Sequence, residues 1–142
     1  MGPWYGRDRD RILFEGAARH YPALRATTVA GRGRIYHVKI DVRHYEERRV
    51  EIRFEKANPR IPRIYADGPS SPHRYKDGSL CVWHSSDPVG NRWVFEDGLL
   101  ELLGHIEAHL FREAWWRETD EWLGPEAPHA PAAKERPRGE GS

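Results

Sequence analysis

The chain has 142 residues, 23 basic against 22 acidic, a formal net charge of +1 and a single cysteine. That length holds one domain with a proper core, and the charge balance argues against a dedicated nucleic-acid or membrane-surface protein. One cysteine forms no internal disulfide, no apolar run reaches the length of a membrane span, and the start MGPWYGRDRDR lacks an apolar signal region, so the expected setting is a reducing cytoplasm.

Residues 7–20, RDRDRILFEGAARH, read as a short amphipathic helix with Ile12, Leu13, Phe14 and Ala17 as its apolar face, ended by Tyr21-Pro22. Beyond it, Tyr36, Val38, Ile40 and Val42 alternate with polar neighbours, and so do Val50, Ile52 and Phe54. Period-two patterning of this kind predicts half-buried antiparallel strands. Gly31-Arg-Gly33 and the Tyr45-Glu-Glu-Arg segment are short enough for hairpin turns, and Arg25 to Ala30 supplies a further strand of a meander. Prolines 59, 62, 69 and 72 then forbid a helix interior or central strand and leave an edge piece around Arg63 to Ala66. The cysteine segment follows as irregular structure up to about Trp93. Leu99, Leu103, Ile106 and Leu110 next recur at helical spacing, behind Glu96 and Asp97 at the positive end of the helix dipole. A further short helix is expected through Glu118 to Leu123. Past about His129 the Pro-, Ala- and charge-rich chain reads as disordered, which gives a domain over 1–129 and a tail over 130–142. The fold class is α+β: helix, antiparallel meander of about four strands, cysteine loop, C-terminal helices.

Cys81 admits two readings. A lone cysteine is most often a buried structural thiol, and Leu80, Val82 and Trp83 around it are suited to burying it. Against that, it lies outside the strands and the helix, in a loop bounded by Gly78 and Pro88, with His73, Lys76 and His84 nearby to favour a thiolate. A Cys–His hydrolase needs a base and an orienting Asn or Asp, and no protease signature surrounds Cys81. His105 and His109 share a helix face at zinc-ligand spacing, but isoleucine stands where a zinc protease has glutamate, so neither a metal nor another cofactor is expected. The arginine- and aromatic-rich stretches RDRDR and RGRIYHVKIDVRHYEERR have the composition of a nucleic-acid face, yet acidic residues are interspersed throughout and a solvated sheet face explains them better.

In element order and in the stretch SSPHRYKDGSLCVW, the chain resembles the ubiquitin-conjugating enzymes, specifically their divergent prokaryotic branch. In eukaryotic members the cysteine follows a His-Pro-Asn tripeptide, a tyrosine and a glycine at fixed distances. Pro72, Tyr75, Gly78 and Cys81 stand at the matching intervals, with Leu80 before and Val82 after the cysteine. Pro59 and Pro62 are similar to the family's proline segment before the fourth strand, Trp93 to its tryptophan, and WLGPEAPH to the ending common in bacterial members. The resemblance covers about residues 5 to 129. Two positions depart from it: Ser71 replaces the tripeptide's histidine and His73 its asparagine.

The resemblance implies a carrier thiol. An adenylating, activating enzyme would hand the C-terminal glycine of a ubiquitin-like protein to Cys81 as a thioester, and an amine or hydroxyl of a protein target would then attack that carbonyl. Such a cysteine has to be accessible. Both steps pass through an oxyanion, for which one well-placed donor is typically worth ~3 kcal/mol. His73 and backbone N–H groups near Gly78 are the candidate donors, with Pro72, Tyr75 and Gly78 supporting the loop. Arg7, Arg9, Arg11 and Arg19, on the first helix, would help to receive the activating enzyme. Bacterial relatives commonly serve antiphage defence. Neither nucleic acid nor membrane is an expected partner. The competing readings are an inactive fold of this kind that only binds a ubiquitin-like protein, and a small nucleic-acid-binding domain.

Overall fold

The computed structural model describes residues 2–68, 74–83 and 92–123. The alternating stretches do form strands: β1 (Arg25–Val29), β2 (Gly33–Asp41), β3 (Glu47–Glu55) and β4 (Arg63–Ala66) make one antiparallel sheet in the order β1-β2-β3-β4. Register places Tyr36 opposite Ile52, Val38 opposite Val50 and Ile52 opposite Ile64, so one face is uniformly apolar. The other face carries His37, Lys39, Arg49, Glu51 and Tyr65, as period two requires. Gly33 opens β2 with φ 129°, and a Cβ there would collide with the Phe54 carbonyl oxygen on the paired strand. No other residue type fits that position without moving the sheet.

Helix α1 (Asp8–Glu15) is flanked by 3₁₀ turns at Trp4–Gly6 and Gly16–His20. Its buried residues are Phe14 and, just beyond, Ala18, whereas Ile12 and Leu13 are 52% and 70% exposed and Ala17 is exposed too. The expected apolar face is therefore displaced. The helix lasts only two turns before the 3₁₀ segment rewinds it, so the 3.6-residue period is not kept across the whole stretch. The Glu15 carboxylate ties α1 to β2 by accepting from Arg34 Nη2 at 2.6 Å and from the Tyr36 hydroxyl at 2.7 Å.

Helix α2 (Gly98–Thr119) lays Leu99, Leu102, Leu103, Ile106 and Leu110 into the core against the apolar sheet face. Phe54 lies at the centre of an aromatic cluster with Trp4, Phe14, Tyr36 and Trp93. The helix passes through Glu118 and stops where Asp120 takes a left-handed conformation, φ 68°, with its N–H donating to the Trp116 carbonyl at 2.7 Å. The short helix expected over 118–123 does not form: residues 121–123 are non-helical and Trp122 folds back, buried, against His109. Trp115 and Trp116 are half-buried, whereas Trp4, Trp93 and Trp122 are buried. No helix among the described residues is long and apolar enough to cross a membrane. The expected tail, 130–142, lies outside the described residues.

Candidate active site

The cysteine sits on a small hairpin. Arg74 and Leu80 form an antiparallel bridge, Tyr75 N–H donates to the Ser79 carbonyl at 2.8 Å, and Gly78 N–H donates to the Tyr75 carbonyl at 2.9 Å. Sequence dictates this turn. Asp77 accepts from both the Ser79 backbone N–H (2.9 Å) and the Ser79 hydroxyl (2.6 Å), and Gly78 takes φ 91°, which favours glycine. Those two hydrogen bonds from Ser79 are foremost in holding the Asp77 carboxyl below its usual range, with the Arg63 charge adding to them. Arg63 Nη1 donates to Asp77 at 2.7 Å, and Leu80 N–H donates to the Ile64 carbonyl at 2.7 Å, so the hairpin is fastened along β4.

Pairing Arg74 with Leu80 puts Tyr75 and Cys81 on one face as diagonal neighbours, a spacing an aromatic side chain bridges. The Cys81 thiol is a polar neighbour of the Tyr75 phenol. Partial burial of the phenol, on a residue still 47% exposed, and then the neighbouring Cys81 thiol push its pKa up to about 12. A phenol that keeps its proton in this way can donate to sulfur across the neutral range.

Cys81 itself is 4% exposed, with Sγ 3.9 Å from the Trp83 carbonyl oxygen. This departs from the accessible thiol that the resemblance implies. Leu80 is buried beside it, and Trp83 packs on Trp93 (6.0 Å between ring centroids) and on His105 (5.8 Å), which draws the segment onto the core. A groove of about 760 Å³ borders the hairpin on the β4 side, lined among others by Ile61, Tyr75, Lys76, Leu80 and Trp83. Cys81 is accordingly expected to react with a bulky aromatic disulfide at about one tenth the rate of a free thiol at the same pH, or more slowly, until denaturant equalises the two. Release of the chromophoric thiolate, with Cys81→Ser as the blank, measures this.

Of the other residues singled out in the sequence, Tyr75 and Gly78 join Cys81 in the hairpin, while Pro72 and His73 lie outside the described residues. Arg7, Arg9, Arg11 and Arg19 sit on α1 and its flanks. Arg7 pairs with Asp10 and Arg11 with Asp8, whereas Arg9 and Arg19 are exposed. Sequence reasoning missed Arg74, His109 and Glu113. Arg74 reaches from the hairpin to α2, where its Nε and Nη2 donate to the two Glu113 carboxylate oxygens at 2.9 and 2.8 Å. His109 Nε2 stands 3.3 Å from the same carboxylate. A signal existed: Glu113 continues the stripe of Ile106 and His109/Leu110 at a position that ought to be apolar.

The family model of the Type II CBASS E2 protein matches residues 16–130, most of the chain and all of the sheet, the hairpin and α2. The chain belongs to that family. Type II CBASS E2 proteins are E2-like members of bacterial antiphage-defence systems, and the sheet between an N-terminal and a C-terminal helix agrees with an E2-like fold. Membership gives this Type II CBASS E2 protein a role in a ubiquitin-like conjugation pathway. Comparison with curated proteins and with solved structures yields no match.

Proposed function

We propose that this Type II CBASS E2 protein is an acyl carrier whose Cys81 thiolate attacks the adenylated C-terminal carboxyl of a ubiquitin-like protein. AMP leaves as the thioester forms. A target amine or hydroxyl then attacks the thioester carbonyl, the tetrahedral oxyanion collapses, Cys81 leaves as thiolate, and the nucleophile's proton passes to solvent or a nearby base. The activating enzyme, the ubiquitin-like protein and the target are the partners this chemistry needs, and His73 remains the proposed oxyanion donor. The observation that carries the reading is the placement of the single cysteine beside Tyr75 on a hairpin held to both β4 and α2, in a chain of this family. Little further machinery is required, because the acyl group arrives activated and binding supplies its orientation. The adjoining groove of about 760 Å³, lined by Tyr75, Leu80 and Trp83, is the proposed seat of the partner's C-terminal segment.

Burial of Cys81 favours the second reading, a module that binds a ubiquitin-like protein without carrying it. Incubation with an adenylating activating enzyme, a ubiquitin-like protein and ATP separates the two by intact mass and non-reducing gel. The carrier reading expects a thiol-labile adduct that Cys81→Ser abolishes or converts to a thiol-resistant ester. No adduct, with partners shown to be active together, leaves the binding module.

A further inference from the structure

We propose that Glu113 is a positioning residue for the cysteine hairpin, acting through Arg74; this rests on the reading of Cys81 as the acyl carrier. The Glu113 side chain is fully buried and that of Arg74 is 7% exposed, so both charges have left water and incurred a desolvation penalty before pairing. Stability alone does not call for such a pair, since apolar side chains of similar volume usually serve as well or better. What a buried guanidinium–carboxylate pair supplies instead is direction, because the planar fork meets both oxygens in one geometry.

Here the direction is aimed at the hairpin. Besides its two bonds to Glu113, Arg74 donates through Nη1 to the Ala66 carbonyl at 3.1 Å and through Nη2 to the Asp67 carbonyl at 3.3 Å. One side chain thereby locks α2, the end of β4 and the first arm of the hairpin to each other. The second arm is held by the Leu80–Ile64 bond, and Leu80, the bridge partner of Arg74, immediately precedes Cys81. His109 at 3.3 Å and Arg117 at 3.6 Å fix the Glu113 carboxylate from within α2. The position of Sγ relative to the Tyr75 phenol is therefore set by a carboxylate on the helix, remote from the cysteine in sequence. Misplacement of a reacting atom by about 1 Å is enough to slow a reaction on the order of a hundredfold.

The test uses the full chain and exploits the tolerance of buried ion pairs to paired apolar replacement. The double variant Arg74→Met/Glu113→Leu should melt cooperatively, with a midpoint within about 5 °C of wild type. Its Cys81 alkylation by iodoacetamide, followed against pH, should accelerate about tenfold with a displaced pH midpoint, and thioester formation should fall about tenfold in kcat with KM for the activated partner unchanged. A folded double variant whose alkylation rate, pH midpoint and thioester kcat all match wild type overturns the proposal and leaves the pair purely structural. If the double variant does not melt cooperatively, Glu113→Gln, which keeps the side-chain shape without the charge, is judged by the same three quantities. Should wild type form no thioester with active partners while the alkylation profile still changes in the variants, the carrier reading fails and the positioning role stands.

Discussion

Glu113→Ala should lower the unfolding free energy by about 3–5 kcal/mol, the usual consequence of removing one partner from a buried ion pair. The substitution leaves Arg74 with its guanidinium buried and two of its hydrogen bonds gone, and opens a space beside His109 in a buried stretch of α2. The same residue gives a pH signature. Burial raises the Glu113 pKa, but the two hydrogen bonds from Arg74 and the approach of His109 Nε2 at 3.3 Å outweigh it, and the carboxyl is held well below its unfolded value of 4.5. A depressed carboxyl contributes stability that is fully present above the unfolded pKa and is lost as pH falls toward the folded one. Wild type should consequently lose stability on acidification from about pH 5 to pH 3, and Glu113→Ala should lose markedly less over that window. Urea unfolding followed by tryptophan fluorescence at several pH values measures both effects; equal slopes for the two proteins would refute the assignment.

Phe54→Ala should cost a similar about 3–5 kcal/mol, for a different reason. Phe54 is fully buried, and its ring centroid lies 5.3 Å from Phe14, 5.4 Å from Trp4, 6.1 Å from Tyr36 and 6.3 Å from Trp93. Those partners come from α1, its leading turn, β2 and the approach to α2, and they cannot all move inward to fill the gap. The cost is a cavity added to lost aromatic contacts. Leu13→Ala is the control: its side chain is 70% exposed, and its effect should stay within about 0.5 kcal/mol. Chemical denaturation of the two variants side by side checks the pair. A Phe54→Ala loss below that of Leu13→Ala would mean that the cluster is not the centre of the core.

The strands were legible because alternation is a local property. Val38 and Val50 must face the core once their neighbours are charged, and the register places them opposite each other. The α2 stripe was legible for the same reason at a period of 3.6. Errors arose where short-range pattern loses to geometry. Leu13 belongs to an apolar run but is turned outward because α1 lasts only two turns, and the helix over 118–123 is cut off by the left-handed backbone of Asp120.

At the site, sequence alone determined the α+β order and the place of Cys81 in a loop after the sheet. The segment read as irregular closes into a tight turn at Asp77, Gly78 and Ser79, whose local hydrogen bonds bring Tyr75 and Cys81 to one face. Only the tertiary structure decided that Cys81 is buried and that Arg74 of the hairpin meets Glu113 of α2. Contacts between residues far apart in the chain depend on how the helix lies across the sheet. That packing is chosen by the whole apolar surface at once, which no local pattern encodes.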